Sequence, residues 1–115
     1  MAKQKYDYDL IVIGSGAGGS AAATIAARDG KRVAIVEADT FGGDSPNWSD
    51  IPTKALMHVA ELYDQAKRGA RFGLRSSTMS YNYPSLRAWK ELAVKRTGAG
   101  GNQRYYEQQG ISAFH

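Results

Sequence analysis

Apolar residues follow two rhythms along this chain. From Leu10 to Ile13, and again across Arg32-Val-Ala-Ile-Val36, they form short unbroken runs bounded by polar or glycine residues. Such runs predict short buried strands. Between them the small residues Ser20 to Ala27 predict a helix over Ala17 to Asp29, with Gly30 as its C-terminal stop. The second rhythm begins after Pro52, a residue suited to the first turn of a helix. Ala55, Leu56, Val59, Leu62, Tyr63 and Ala66 recur at spacings of three and four, which predicts an amphipathic helix to about Arg68, ended by Gly69 and Gly73. Tyr83-Pro84-Ser85 opens a further helix with Leu86, Trp89, Leu92 and Ala93 on its apolar stripe, broken at Gly98-Ala99-Gly100-Gly101. Asn102 to Gln109 can resume as helix, and Gly110 then precedes Ile111 to Phe114, the start of a third strand. Ala38 to Ser49 has no periodicity and predicts a loop that wraps a ligand, while Arg75 to Asn82 reads as a polar connection.

The first strand runs into glycines that fit Gly-x-Gly-x-x-Gly at Gly14, Gly16 and Gly19. Each has a separate physical task. Gly14 lets the chain turn sharply out of the strand, Gly16 lets a diphosphate approach the backbone, and Gly19 lets the helix lie close on the strand. The free N–H groups and positive end of that helix then face the phosphates. Glu37 closes the second strand 18 residues beyond Gly19, where an acid accepts hydrogen bonds from ribose hydroxyls. Its charge would repel a 2′-phosphate, so the expected ligand carries NAD-like or FAD-like adenosine and not that of NADP. Strand, glycine turn, helix, strand and acid together predict an α/β fold. The expectation is a Rossmann-like βαβ dinucleotide-binding unit, followed by two helices and the start of a third parallel strand, and incomplete as a doubly wound sheet.

Composition narrows the chemistry. The 115 residues allow one domain, and 43% hydrophobic content argues against disorder. The chain has no cysteine, which excludes disulfides, thiolate metal sites and thiol catalysis by these residues. No apolar run reaches the ~18 residues of a membrane span, and the first residues lack the apolar core of a signal peptide, so a cytoplasmic protein without a membrane partner is expected. The net charge of +4 comes from residues such as Lys67, Arg68, Arg71, Arg75, Arg87, Lys90, Lys95 and Arg96, interleaved with Glu61, Asp64 and Glu91. That mixture reads as solvated helix faces, with no nucleic-acid partner expected. His58 has no metal-spaced partner and reads as a surface or packing residue, and no metal site is expected. Tyr105 and Tyr106 read as packing groups. Asn47-Trp48-Ser49 matches a glycosylation sequon by chance.

Phe41 to Leu56, Phe-Gly-Gly-Asp-Ser-Pro-Asn-Trp-Ser-Asp-Ile-Pro-Thr-Lys-Ala-Leu, resembles the active-site segment of the FAD-dependent pyridine nucleotide–disulfide oxidoreductases, whose pattern is Gly-Gly-x-Cys-x-x-x-x-Cys-x-Pro-x-Lys. Gly42, Gly43, Pro52 and Lys54 match in spacing, and the segment Asp9 to Glu37 matches the family's N-terminal fingerprint. The helix from Ala55 and the later Arg96-Thr-Gly-Ala-Gly-Gly101 are similar to the dihydrolipoamide dehydrogenase and mercuric reductase branch. Both redox cysteines are replaced, by Ser45 and Asp50. A serine hydroxyl is far less acidic than a thiol and forms no stable disulfide, and a carboxylate forms none at all.

The resemblance implies that Gly14, Gly16 and Gly19 face the FAD pyrophosphate and Glu37 the adenosine ribose. It implies that Gly42 and Gly43 let backbone pass close to the phosphates and ribityl chain, and that Lys54 lies near the flavin ring. No catalytic residue is assigned. Asp50 suits a helix cap or a flavin-side acid or base, Ser45 a space-filling remnant, and Trp48 a cover for the flavin or for the core. The expectation is therefore the N-terminal part, residues 1–115, of an FAD-binding domain, with nicotinamide and dimerisation domains outside it. The parent would be a homodimeric oxidoreductase passing hydride from NAD(P)H through FAD to an acceptor other than a disulfide, and this segment alone is expected to catalyse little. The alternative is a stand-alone, non-catalytic dinucleotide-binding module or inactive paralogue.

Overall fold

The computed structural model describes residues 5–75, 78–98 and 100–115. Three strands, β1 (Leu10–Ile13), β2 (Val33–Val36) and β3 (Ser112–Phe114), form a parallel sheet with β2 in the centre. Leu10 pairs with Val33 and Ala34 with Ser112, and both ladders hold this register along the strands. This is the 3-2-1 order of the first half of a doubly wound sheet. The expected third parallel strand is present.

Helix α1 (Ala17–Arg28) makes the short crossover from β1 to β2, and its alanines let it lie close on the sheet. Its Ala23 is buried in one cluster with Val33, Ile35, Phe41, Tyr106 and Ile111, against which Leu10, Val12 and Ala113 pack. These strand residues all belong to one face of the pleat. The other face is open in β1, where Ile11 and Ile13 are exposed, so the expected buried strand is buried on one side only.

The return from β2 to β3 is long. It carries α2 (Asp44–Asn47), α3 (Asp50–Arg68), a single 3₁₀ turn over Gly69–Phe72, α4 (Tyr83–Arg96) and α5 (Gln103–Glu107). The segment expected to be wholly irregular from Ala38 to Ser49 thus contains one turn of helix at its centre. Helices α3 and α4 pack against each other as a hairpin, and Asn82 caps α4 by accepting a 2.9 Å hydrogen bond from the Ser85 amide. The mixed charges of this hairpin face solvent as expected, and within it Asp64 pairs with Arg68 and Glu91 with Arg87. Part of the expected connection Arg75 to Asn82, residues 76–77, lies outside the described residues, as does residue 99 of the second glycine cluster.

Candidate functional site

The glycine turn after β1 separates its three glycines by what surrounds them. Gly14 has φ +88° and lies at the exit of the strand, its amide donating 2.7 Å to the Val36 carbonyl and so continuing the ladder for one residue. A Cβ built on Gly14 or Gly16 would meet nothing within 4 Å, so open space adjoins the backbone at both. Gly19 is the opposite case. Its Cβ would stand 1.9 Å from the Gly14 carbonyl oxygen and 3.1 Å from Val12 Cγ1, so only glycine allows α1 to approach β1 this closely. No side chain caps the N-terminus of α1 and no acid sits in its first turn. Its leading N–H groups therefore carry the positive end of a 12-residue helix toward that open space.

Glu37 follows β2 and turns toward this loop. Its Oε2 accepts the Ser15 amide (2.9 Å) and the Ser15 hydroxyl (2.5 Å), and its Oε1 accepts the amides of Ala38 (2.9 Å) and Asp39 (3.1 Å). The Ser15 hydroxyl, then the Ser15 amide, hold the carboxyl below its ordinary pKa, against a smaller opposing effect of desolvation. Glu37 is thus a fixed anion at the mouth of the turn. Two residues on from Glu37, the Asp39 carbonyl accepts a 2.6 Å hydrogen bond from the His115 ring Nε2.

The second glycine pair is in physical contact with the first loop. Gly42 is buried at φ +93° and its amide donates to Ser15 Oγ (2.9 Å). Gly43 has φ +71°, and a Cβ there would come 2.7 Å from Gly16 Cα. Asn47 holds this crossing by donating to the carbonyls of Phe41 (3.0 Å) and Gly43 (2.7 Å). Its amide is spent inward, in keeping with a chance sequon.

Ser45 lies on α2 and lines a cleft of about 490 Å³ beside α1, together with Ala17, Thr24, Pro46, Ile51 and Tyr105. Gly42 also lines that cleft and Glu37 does not, so the cleft adjoins the glycine loops on a side that the acid does not line. Asp50 is the first residue of α3, and the cap position belongs to Ser49, which makes no side-chain cap hydrogen bond. The expected capping role of Asp50 is therefore corrected. Its carboxylate instead pairs with Lys54 one turn later at 2.9 Å. Asp50 also suits the positive end of the helix, which offsets the unfavourable position of Lys54 near that end. Trp48 is 66% exposed and does not close the core. His58 is exposed on α3.

Two contributors were not singled out as site residues from sequence. Ser15 occupies an unconstrained position of the glycine motif. Tyr106 was expected to pack, and it does, fully buried, but its hydroxyl also donates 3.2 Å to the Ser15 carbonyl and lies 3.2 Å from Ser20 Oγ. Among the described residues no group of His, Cys, Asp and Glu is placed to hold a metal, and no helix is long and apolar enough to cross a membrane.

Sheet order, glycine turn and strand-end acid define the class: an α/β chain carrying a Rossmann-like βαβ unit. The chain belongs to the pyridine nucleotide-disulphide oxidoreductase family, whose model matches residues 8–114. It is similar to a glutathione reductase of Burkholderia cepacia, 40% identical over 96% of this chain and 24% of that relative. It is also similar to the dihydrolipoyl dehydrogenases of Chlorobaculum parvum (49% identical over 65% of this chain and 16% of the relative) and Bacillus subtilis (35% over 84% and 20%). The chain thus spans no more than about a quarter of the length of these relatives.

Proposed function

We propose that this chain supplies the adenosine-diphosphate half of an FAD site in a flavin-dependent NAD(P)H oxidoreductase. The observation that carries the reading is the pairing of open space at Gly14 and Gly16, in front of an uncapped helix N-terminus, with the fixed carboxylate of Glu37 beside it. An anion gains from the helix end, and a ribose diol offers the donors that a carboxylate accepts. Gly14, Gly16 and Gly19 would hold the pyrophosphate, Glu37 the ribose, and Gly42 and Gly43 the neighbouring stretch of FAD. FAD, when bound, supplies hydride transfer from NAD(P)H.

Ser45 and Asp50 stand where the family has its redox cysteines, and the chain has no cysteine to replace them. Dithiol–disulfide exchange through these residues is chemically closed. The acceptor is accordingly a molecule other than a disulfide. Lys54 would set a positive charge near the flavin, moderated by its ion pair with Asp50. Residues 1–115 act in this reading as the N-terminal part of the FAD-binding domain, with nicotinamide-binding and dimerisation domains supplied elsewhere in a cytoplasmic homodimer.

The test is a titration of the purified chain with FAD, followed by flavin absorbance and fluorescence. Retained yellow colour, or saturable quenching of flavin fluorescence that G16V abolishes, supports the reading. A colourless chain that binds ADP but not FAD points to the stand-alone dinucleotide module. Binding of neither overturns the proposal.

A further inference from the structure

Ser15 sits where four parts of the molecule meet. Its side chain is fully buried, at 0% exposure. The hydroxyl accepts from the Gly42 amide and donates to Glu37 Oε2, its amide donates to the same oxygen, and its carbonyl accepts from Tyr106. One residue therefore joins the first glycine turn, the acid after β2, the second glycine pair and α5. A hydroxyl has one proton to give and lone pairs to receive with. Because the Gly42 amide occupies it as an acceptor, its proton is directed to Glu37. Without it, Oε2 keeps a single backbone donor, and the carboxylate, still held at Oε1 by the Ala38 and Asp39 amides, is less firmly fixed at the end that faces Ser15.

We propose that Ser15 is a positioning residue for ribose recognition: its buried hydroxyl, held by the Gly42 amide, orients the Glu37 carboxylate toward the crevice and couples the two glycine loops. The inference rests on the nucleotide reading above. It adds that selectivity for a ribose diol depends on a residue that does not itself touch the ligand. The Ser15 hydroxyl is the largest cause of the lowered pKa of Glu37, ahead of the amides of Ser15, Asp39 and Ala38, so its loss can be read on that carboxyl.

The experiment compares the parent chain with S15A and S15C, the latter keeping the size of the side chain but replacing the hydroxyl by a weak S–H donor. Folding is checked by ¹H–¹⁵N spectra, and S15C serves where S15A does not fold. Two readouts are taken. The first is an NMR pH titration of the Glu37 carboxyl without ligand, in which both variants should move it up toward the ordinary carboxylate range. The second is the affinity ratio of ADP to 2′-deoxy-ADP, expected at about tenfold in the parent and within about threefold of unity in the variants, since a charge-assisted hydrogen bond carries that order of discrimination. ADP binding with an unchanged ratio overturns the role of Ser15 and leaves the nucleotide reading standing. Failure of the parent to bind ADP overturns both, and a shifted Glu37 carboxyl would then mark a purely structural bond. Purely structural damage would lower both affinities equally and leave their ratio intact.

Discussion

A methyl group at Gly19 has nowhere to go. The nearest atom is a backbone carbonyl oxygen, which cannot swing aside as the end of a flexible side chain can. Either α1 lifts from β1 or the Gly14 turn opens. We expect G19A to cost about 3 kcal/mol, at the upper end of overpacking penalties, in urea unfolding monitored by circular dichroism. G18A is the control, since its methyl would meet open space, and should be neutral or stabilising by up to ~1 kcal/mol through helix propensity. Equal effects of the two would refute the close-packing role. The spacing of the motif makes Gly19 legible without a structure, because close helix–strand approach is a local demand. Ser15 is not legible in the same way. What makes it matter is Gly42, 27 residues away, and Tyr106, 91 residues away, and nothing in the chain near Ser15 announces either.

At the scale of elements, the start of β1 is fastened to β2 by side chains. Asp9 accepts from the Arg32 backbone amide (2.9 Å), from Nε (3.2 Å) and from Nη2 (2.9 Å), and its own amide donates 2.8 Å to the Arg32 carbonyl. The hydrogen bonds from the Arg32 side chain, then from its backbone, lower the Asp9 pKa to about 2. A carboxyl depressed in the folded state contributes stability above its unfolded pKa of about 3.9, and loses it as pH falls through the folded value. The melting temperature should therefore carry a limb that falls between about pH 4 and pH 2, and D9N should flatten that limb. A D9N profile that parallels the parent throughout this range would show the pair to be inert. The strands themselves were legible, because four-residue apolar runs between glycine and polar punctuation leave little else to form. The turn of helix in α2 was not, since Pro46 and the polar residues around it carry no periodicity. It is stabilised by Asn47 reaching back to Phe41 and Gly43, local side-chain contacts that no hydrophobic periodicity announces. Asp50 was misplaced by one position for a related reason: both Ser49 and Asp50 favour helix starts, and composition cannot choose between them.

The whole molecule is extended, 80 × 25 × 19 Å, with a radius of gyration of 20.8 Å where a compact chain of this length has about 13 Å. The α3–α4 hairpin contributes length, and the sheet contributes an unusual surface. Ile13 is 89% exposed, Ile11 59% and Phe114 47%, and register places all three on the face of the pleat away from α1. Apolar side chains this exposed gain little from burial, at about 25 cal/mol per Å² removed from water. Replacing Ile13 by Thr keeps the β-branched shape that suits a strand, so I13T should change unfolding free energy by less than about 0.5 kcal/mol. The same open face should bind a hydrophobic dye such as ANS under native conditions, and the pair I11T/I13T should lose roughly half of that fluorescence with the far-ultraviolet spectrum unchanged. Ile35, fully buried on the opposite face, supplies the contrast: I35T should destabilise strongly, by about 2 kcal/mol or more, because it buries a hydroxyl and leaves a void. Comparable costs for I13T and I35T would mean that the two faces are equally covered in solution, and the one-sided sheet would have to be abandoned.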